Sequence, residues 1–233
     1  MKSPSRIPLS RKRVVQIAGV IDEDEARMLV ECNVDLVGFP LGARCGAENA
    51  GESEAREIMG RIRPPAFGVV ITYLGKAEDV AALCESVGTT AVQLHGDIGA
   101  EEIRRLRVIS PGLFIIKTLV VRGDDFERLA VAADLFAPYV DALLTDTFDE
   151  STGRWGATGK THDWSVSRRI VEHCERPVIL AGGLTPDNVT RAIQEVRPAA
   201  VDAHTGVEDD RGRKDRALVE RFVAEARRAF AAL

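Results

Sequence analysis

The chain lacks several signals that would assign it to other classes. No apolar run approaches the ~20 residues that a membrane-spanning helix needs. Its 233 residues carry a net charge of -5, which argues against a general binder of nucleic acid or of acidic membranes. Four cysteines, Cys32, Cys45, Cys84 and Cys174, are spread widely, with no CxxC pair and no histidine at zinc spacing. That pattern fits reduced thiols in a cytoplasmic protein. Cys32, Cys84 and Cys174 fall in helix-like stretches, where packing is their simplest role. Met1 to Arg13 contains five basic residues but no apolar segment of the secretory type, so residues 1–13 read as a flexible, solvated arm. No Pro/Ser-rich linker and no low-complexity tract interrupts residues 14–233.

What is present is alternation. Short apolar, β-branched runs recur at 14–19, 35–40, 66–72, 91–96, 114–121, 141–146, 177–182 and 199–205, each followed by an amphipathic stretch. In the last of these stretches Leu218, Phe222, Val223, Ala226 and Phe230 return at helical spacing. Most strand candidates are apolar on both faces, as a parallel sheet covered by helices requires. Eight β-then-α units without a composition break predict one closed (β/α)8 barrel over residues 14–233. An open nucleotide-binding sheet would need a Gly-rich loop after the first strand, and Gly19-Val20-Ile21-Asp22 is not one. In such a barrel the chemistry lies at the C-terminal strand ends.

Four blocks sit at those ends. Pro177 to Val189 runs from a buried strand through Gly182-Gly183 into a helix, with Thr185-Pro186 read as its N-cap and first turn. Glycines let a ligand approach the backbone, and a helix N-terminus favours an anion. The next strand ends similarly in Thr205-Gly206, so Gly182, Gly183, Thr205 and Gly206 are candidate phosphate contacts. Asp146 closes the Asp141–Asp146 strand, either as a partly desolvated acid or as a brace for the loop. Gly156 to Trp164 resembles a P-loop but has Arg154 where the first glycine belongs, so it is read as a loop placing Lys160 near a substrate or in solvent. In Val92-Gln93-Leu94-His95-Gly96, Gln93 and His95 share a face directed into the barrel.

Taken together, VQLHG, DALLTD, GATGKTHDW, LAGGLTPDNV and VDAHTGVE stand in order at successive strand ends. In this they resemble the phosphoribosylanthranilate isomerase family of tryptophan biosynthesis, nearly end to end from Val14. The resemblance implies an Amadori rearrangement of a small phosphorylated sugar, with no metal or organic cofactor and neither nucleic acid nor membrane as partner. It implies a monomer or homodimer. It casts Asp146 as general acid, Asp202 as a retained substrate-site residue and Arg44 as the match for a carboxylate-binding arginine. Gln93, His95 and Lys160 join the candidate substrate contacts.

Three features depart: the base position, strand eight, and the loop after strand two, which is shorter than usual at Pro40-Leu41-Gly42-Ala43-Arg44-Cys45-Gly46. The family's strand-one cysteine, its general base, is replaced by Ala18, whose methyl group cannot take a proton. Strand eight reads Asp202-Ala203-His204-Thr205 where the family tends to Asp-x-Ser-Ser. Asp202 and His204 share a face by alternation, and strand eight neighbours strand one in a closed barrel. His204 is therefore the candidate replacement base, with a spacer histidine beside Ala18 as the bland alternative and Cys45 as a second candidate. Other phosphosugar chemistry on this scaffold, or phosphometabolite binding without catalysis, are the competing functions.

Overall fold

The structure is a computed structural model that describes residues 7, 9, 13–42, 51–149, 154–155 and 161–233. Its strands are β1 (Val14–Ala18), β2 (Leu36–Pro40), β3 (Phe67–Thr72), β4 (Ala91–Leu94), β5 (Phe114–Val121), β6 (Ala142–Asp149), β7 (Arg154–Trp155), β8 (Val178–Leu180) and β9 (Ala200–Ala203). All but β7 pair in parallel in the cyclic order β1-β2-β3-β4-β5-β6-β8-β9, and β9 pairs back onto β1. This is a closed (β/α)8 barrel. The two-residue β7 has no counterpart among the apolar runs of the sequence; it pairs antiparallel with the end of β6 and takes no part in closure.

The helices are α1 (Glu23–Glu31), α2 (Glu52–Met59), α3 (Ala77–Val87), α4 (Ala100–Ile109), α5 (Phe126–Phe136), α6 (Trp164–His173), α7 (Val189–Val196) and α8 (Arg216–Ala231). Alternation along each strand splits the apolar residues into two cores. Val15, Ile17, Val37, Phe39, Val70, Val92, Ile115 and Leu143 point outward and pack under the helices. Val14, Leu36, Val69, Ala91, Ile116, Leu144, Ile179 and Ala200 fill the interior. A barrel this narrow is filled by side chains rather than left as a pore. Of the segment before β1, Ile7 and Leu9 are described, and both are buried in that interior cluster.

Helix starts follow capping chemistry. Asp22, Asp163 and Asp215 accept from the backbone N–H of Glu25, Ser165 and Leu218. Because Asp163 caps it, α6 begins at Trp164. At the expected cap Thr185 Oγ1 accepts from Asp187 N at 3.3 Å and Thr185 O from Val189 N at 3.1 Å, although the regular helix begins later. Residues 186–188 form a turn and α7 starts at Val189 with Asn188 at its N-cap. The Asn188 amide reaches back instead, accepting from Thr185 N at 2.8 Å and donating to Gly183 O at 2.9 Å. An Asn side chain that satisfies two loop groups in this way holds the turn open against helix extension.

Candidate active site

Inward-facing polar residues collect in two layers toward the C-terminal end. In the lower, Gln16 Nε2 donates to Gln93 Oε1 at 2.7 Å, and Asp202 lies in register with Gln16 on the neighbouring strand. All three side chains are buried. Burial and the negative charge of Asp146 push the Asp202 carboxyl well above the usual range; Gln16 and Lys214 act against this. Gln93 thus spends its carbonyl within the barrel, one layer below the mouth.

The upper layer holds Ala18, His95, Asp146 and His204. The Asp146 carboxylate accepts from Thr147 N at 2.7 Å and lies 3.8 Å from His95 Nε2. Burial raises its pKa, while the neighbouring His95, the Thr147 N–H and His204 pull the other way. An acid kept toward its neutral form can donate a proton. His95 is itself buried, with its ring edge-on to Tyr73.

His204 follows directly on β9, beside β1. Gly19 has φ +82°, and a Cβ built on it would lie 2.0 Å from His204 Nε2. The imidazole therefore occupies the space that a side chain at Gly19, the residue after Ala18, would need. Its Nε2 is 3.3 Å from Glu208 Oε1. Asp202 follows the inward face of β9, while His204 lies just beyond the strand, with a backbone (φ -126°, ψ -89°) that has left the extended conformation.

Two glycine-bearing loops meet beside this layer. A Cβ on Gly206 would sit 1.9 Å from Leu184 O, so the loop after β9 touches the loop after β8 only because residue 206 is glycine. Gly182 (φ +90°) lies against Thr147 in the same way, and Gly183 also takes positive φ. Thr205–Val207 form a short 3-10 turn whose start faces this junction. The structure thus brings Asp146, His95, His204, Asp202 and the four cradle residues to one end of the barrel. Arg44, Cys45 and Lys160 lie outside the described residues.

Several site-supporting residues carry little or no signal in the sequence. Glu208 lies four residues beyond His204, a spacing that offers a weak hint. Lys214 and Glu25 come without one. His162, in the loop before α6, joins a polar chain: its Nδ1 is 3.0 Å from Thr147 Oγ1, its Nε2 is 2.6 Å from Ser167 Oγ, and Ser167 donates to Thr145 Oγ1 at 2.9 Å. Burial lowers the His162 pKa to about 4.

A profile of the family described as N-(5'phosphoribosyl)anthranilate (PRA) isomerase matches residues 43–225. The chain is 37% identical over 217 residues to N-(5'-phosphoribosyl)anthranilate isomerase 2 of Methanosarcina mazei, covering 93% of this chain and 95% of the relative. This chain belongs to the phosphoribosylanthranilate isomerase family. The Thermotoga maritima phosphoribosylanthranilate isomerase is similar in structure, with a TM-score of 0.78 and 30% identity over 91% of this chain and 98% of that one. A further phosphoribosylanthranilate isomerase, solved in complex with reduced 1-(o-carboxyphenylamino)-1-deoxyribulose 5-phosphate, gives a TM-score of 0.75 at 30% identity, covering 91% and 97%. Among the described residues no cluster of three or more His, Cys, Asp or Glu could hold a metal ion, and no helix is long and apolar enough to cross a membrane.

Proposed function

We propose that the protein isomerises an N-linked phosphoribosyl substrate, with phosphoribosylanthranilate favoured, using Asp146 as general acid and His204 as general base. The bound product analogue in the related complex supports that substrate class. In this reading Asp146 gives its proton to the ribose ring oxygen as the C1–O bond breaks, and the nitrogen lone pair forms the C1=N iminium. His204 then takes the C2 proton, and the C–H electrons form the enolamine. Return of a proton to C1 and loss of one from the C2 hydroxyl give the ketone. Atoms and electrons balance within one molecule, so the reaction consumes no redox partner.

The observation that carries the base assignment is the seating of the imidazole over Gly19 beside Ala18. In this reading the imidazole supplies the proton acceptor that Ala18 lacks. An imidazole with an unperturbed pKa of ~6.5 suits proton abstraction near neutral pH. Gly182, Gly183, Thr205 and Gly206 form the phosphate cradle in this reading, and His95 and Asp202 orient the sugar. Gln93 supports the floor beneath them, while Arg44 and Lys160 are assigned to the substrate's anionic groups. The active unit is a monomer or homodimer.

The competing reading, a binder without catalysis, draws on Ala18 alone. The decisive experiment follows the fluorescence change as fresh phosphoribosylanthranilate is consumed, against a no-enzyme control. Turnover in wild type that collapses in His204→Ala supports the proposal. Folded wild-type protein without turnover overturns it in favour of binding, and full turnover in His204→Ala removes His204 as the base.

A further inference from the structure

The His204 imidazole does not stand alone. Its Nε2 lies 3.3 Å from Glu208 Oε1, and the same oxygen takes the Lys214 ammonium at 2.5 Å. The Lys214 side chain is wholly buried. Glu208 and Lys214 also form a backbone bridge across the 208–214 loop. Behind them, Lys214 N donates to Glu25 Oε1 at 3.0 Å, and Ile21 N donates to Glu25 Oε2 at 3.3 Å. Arg213 joins Glu25 at 3.1 Å and Asp22 at 2.7 Å. A string of charged contacts thus ties the loop carrying His204 to the loop after β1, which carries Gly19.

We propose that Glu208, fixed by Lys214, is a positioning residue that sets the tautomer and seat of His204. The carboxylate can only accept, so it takes the hydrogen on Nε2, and the imidazole lone pair is left on Nδ1. Nδ1 is then the atom that receives a proton. Burial pushes the Glu208 carboxyl up, but the His204 imidazole and then the Lys214 ammonium pull its pKa down to about 2, so it stays ionised. Asp146 on β6 also interacts with His204, and Asp146 in turn neighbours His95; β1 ends in the uncharged Ala18 and is followed by Gly19. Glu208 is the carboxylate that reaches Nε2, at 3.3 Å. The sequence makes this pairing possible because a histidine stands where the family tends to serine. Its catalytic consequence rests on His204 being the base; the tautomer does not.

The test uses 15N-histidine NMR on the full chain, whose four histidines allow the His204 signals to be assigned from a His204→Ala spectrum. Glu208→Asp keeps the charge for Lys214 but shortens the reach by one methylene. Glu208→Met/Lys214→Met removes both charges together, so no buried charge is orphaned. In wild type His204 is expected as the single Nε2–H tautomer. In either folded variant the signals are expected to move to a mixture, with kcat down about 100-fold and KM changed less than about 2-fold, as for a misplaced catalytic group. An unchanged His204 spectrum in a folded variant overturns the proposal, as does a rise in KM with kcat intact. If His204→Ala itself retains full turnover, the base assignment falls, while a tautomer change in Glu208→Asp still establishes the positioning.

Discussion

His204 Nε2 lies 2.0 Å from where a Cβ on Gly19 would stand, so the residue after the missing thiol and the candidate base exclude each other's side chains. Gly19→Ala therefore carries two costs. Its φ of +82° disfavours any Cβ by roughly 1–2 kcal/mol, and the clash displaces the imidazole. In a His204→Ala background only the first cost remains. A double-mutant cycle by urea unfolding is expected to give a coupling of about 1 kcal/mol or more. Additive losses would mean that the ring sits elsewhere.

Asp146→Asn replaces the buried acid with a near-isostere that cannot donate the same proton. Turnover is expected to fall about 10²–10⁴-fold, the range for loss of a general acid, with the unfolding midpoint preserved. Because burial raises the pKa of Asp146, the variant also relieves a desolvation cost. A small gain in stability with a large loss in kcat is the diagnostic combination. Loss of stability in parallel with activity would make Asp146 a brace for the loop.

Gly206→Ala drives a methyl into Leu184 O, a backbone atom that cannot swing aside. The loops after β8 and β9 must then separate. If they cradle phosphate, KM for the phosphorylated substrate should rise at least about ten-fold, the effect of losing ~1.4 kcal/mol of binding. Competition by inorganic phosphate should weaken equally. Unchanged KM and unchanged phosphate inhibition would remove the junction from the ligand site.

The barrel was legible because its signals are local and repeated. Each buried strand is an apolar run, each helix an amphipathic period, and closure follows from their number. The inward direction of Asp202 was legible for the same reason, since alternation needs only the strand. The polar supports were not. Glu25 and Lys214 are 189 positions apart and meet only through tertiary closure. Gln16 and Gln93 satisfy each other across 77 positions, and nothing in either local pattern announces it. At Thr185-Pro186 the local signal marked the capping residue, whose Oγ1 accepts from Asp187 N, but not the turn over residues 186–188, where the Asn188 side chain bonds back to the loop before α7 begins.

Replacing Ala18 tests the division of labour directly. A thiol at residue 18 would return a proton acceptor to the position where the family carries its cysteine. In His204→Ala, Ala18→Cys should recover a measurable share of turnover, at least about ten-fold over His204→Ala alone if only a base is missing. Fluorescence assays of the single and double variants decide it. No recovery in a folded double variant would mean that the site has adapted around His204 beyond the identity of the base.

His162 supplies a pH signature that is separate from catalysis. With Ser167 donating to Thr145, the Nε2–H of His162 donates to Ser167, and with burial keeping the ring neutral near pH 7 its Nδ1 accepts from Thr147. Its folded pKa of about 4 lies below the unfolded 6.5. The unfolded chain therefore binds more protons between these values, and stability falls as pH drops through that window. Above pH 6.5 the residue costs nothing; at pH 5 the two pKa values give a loss of about 2 kcal/mol, an upper figure because the ring is partly exposed. His162→Phe removes the titration. From pH 7.5 to 5 the stability of wild type relative to this variant should fall by up to about 2 kcal/mol in urea unfolding. Because Thr147 adjoins Asp146 and lies against Gly182, the variant should also loosen the rim and lower kcat at pH 7.5. A pH-independent difference in stability would show that His162 is already protonated or is exposed in the folded protein.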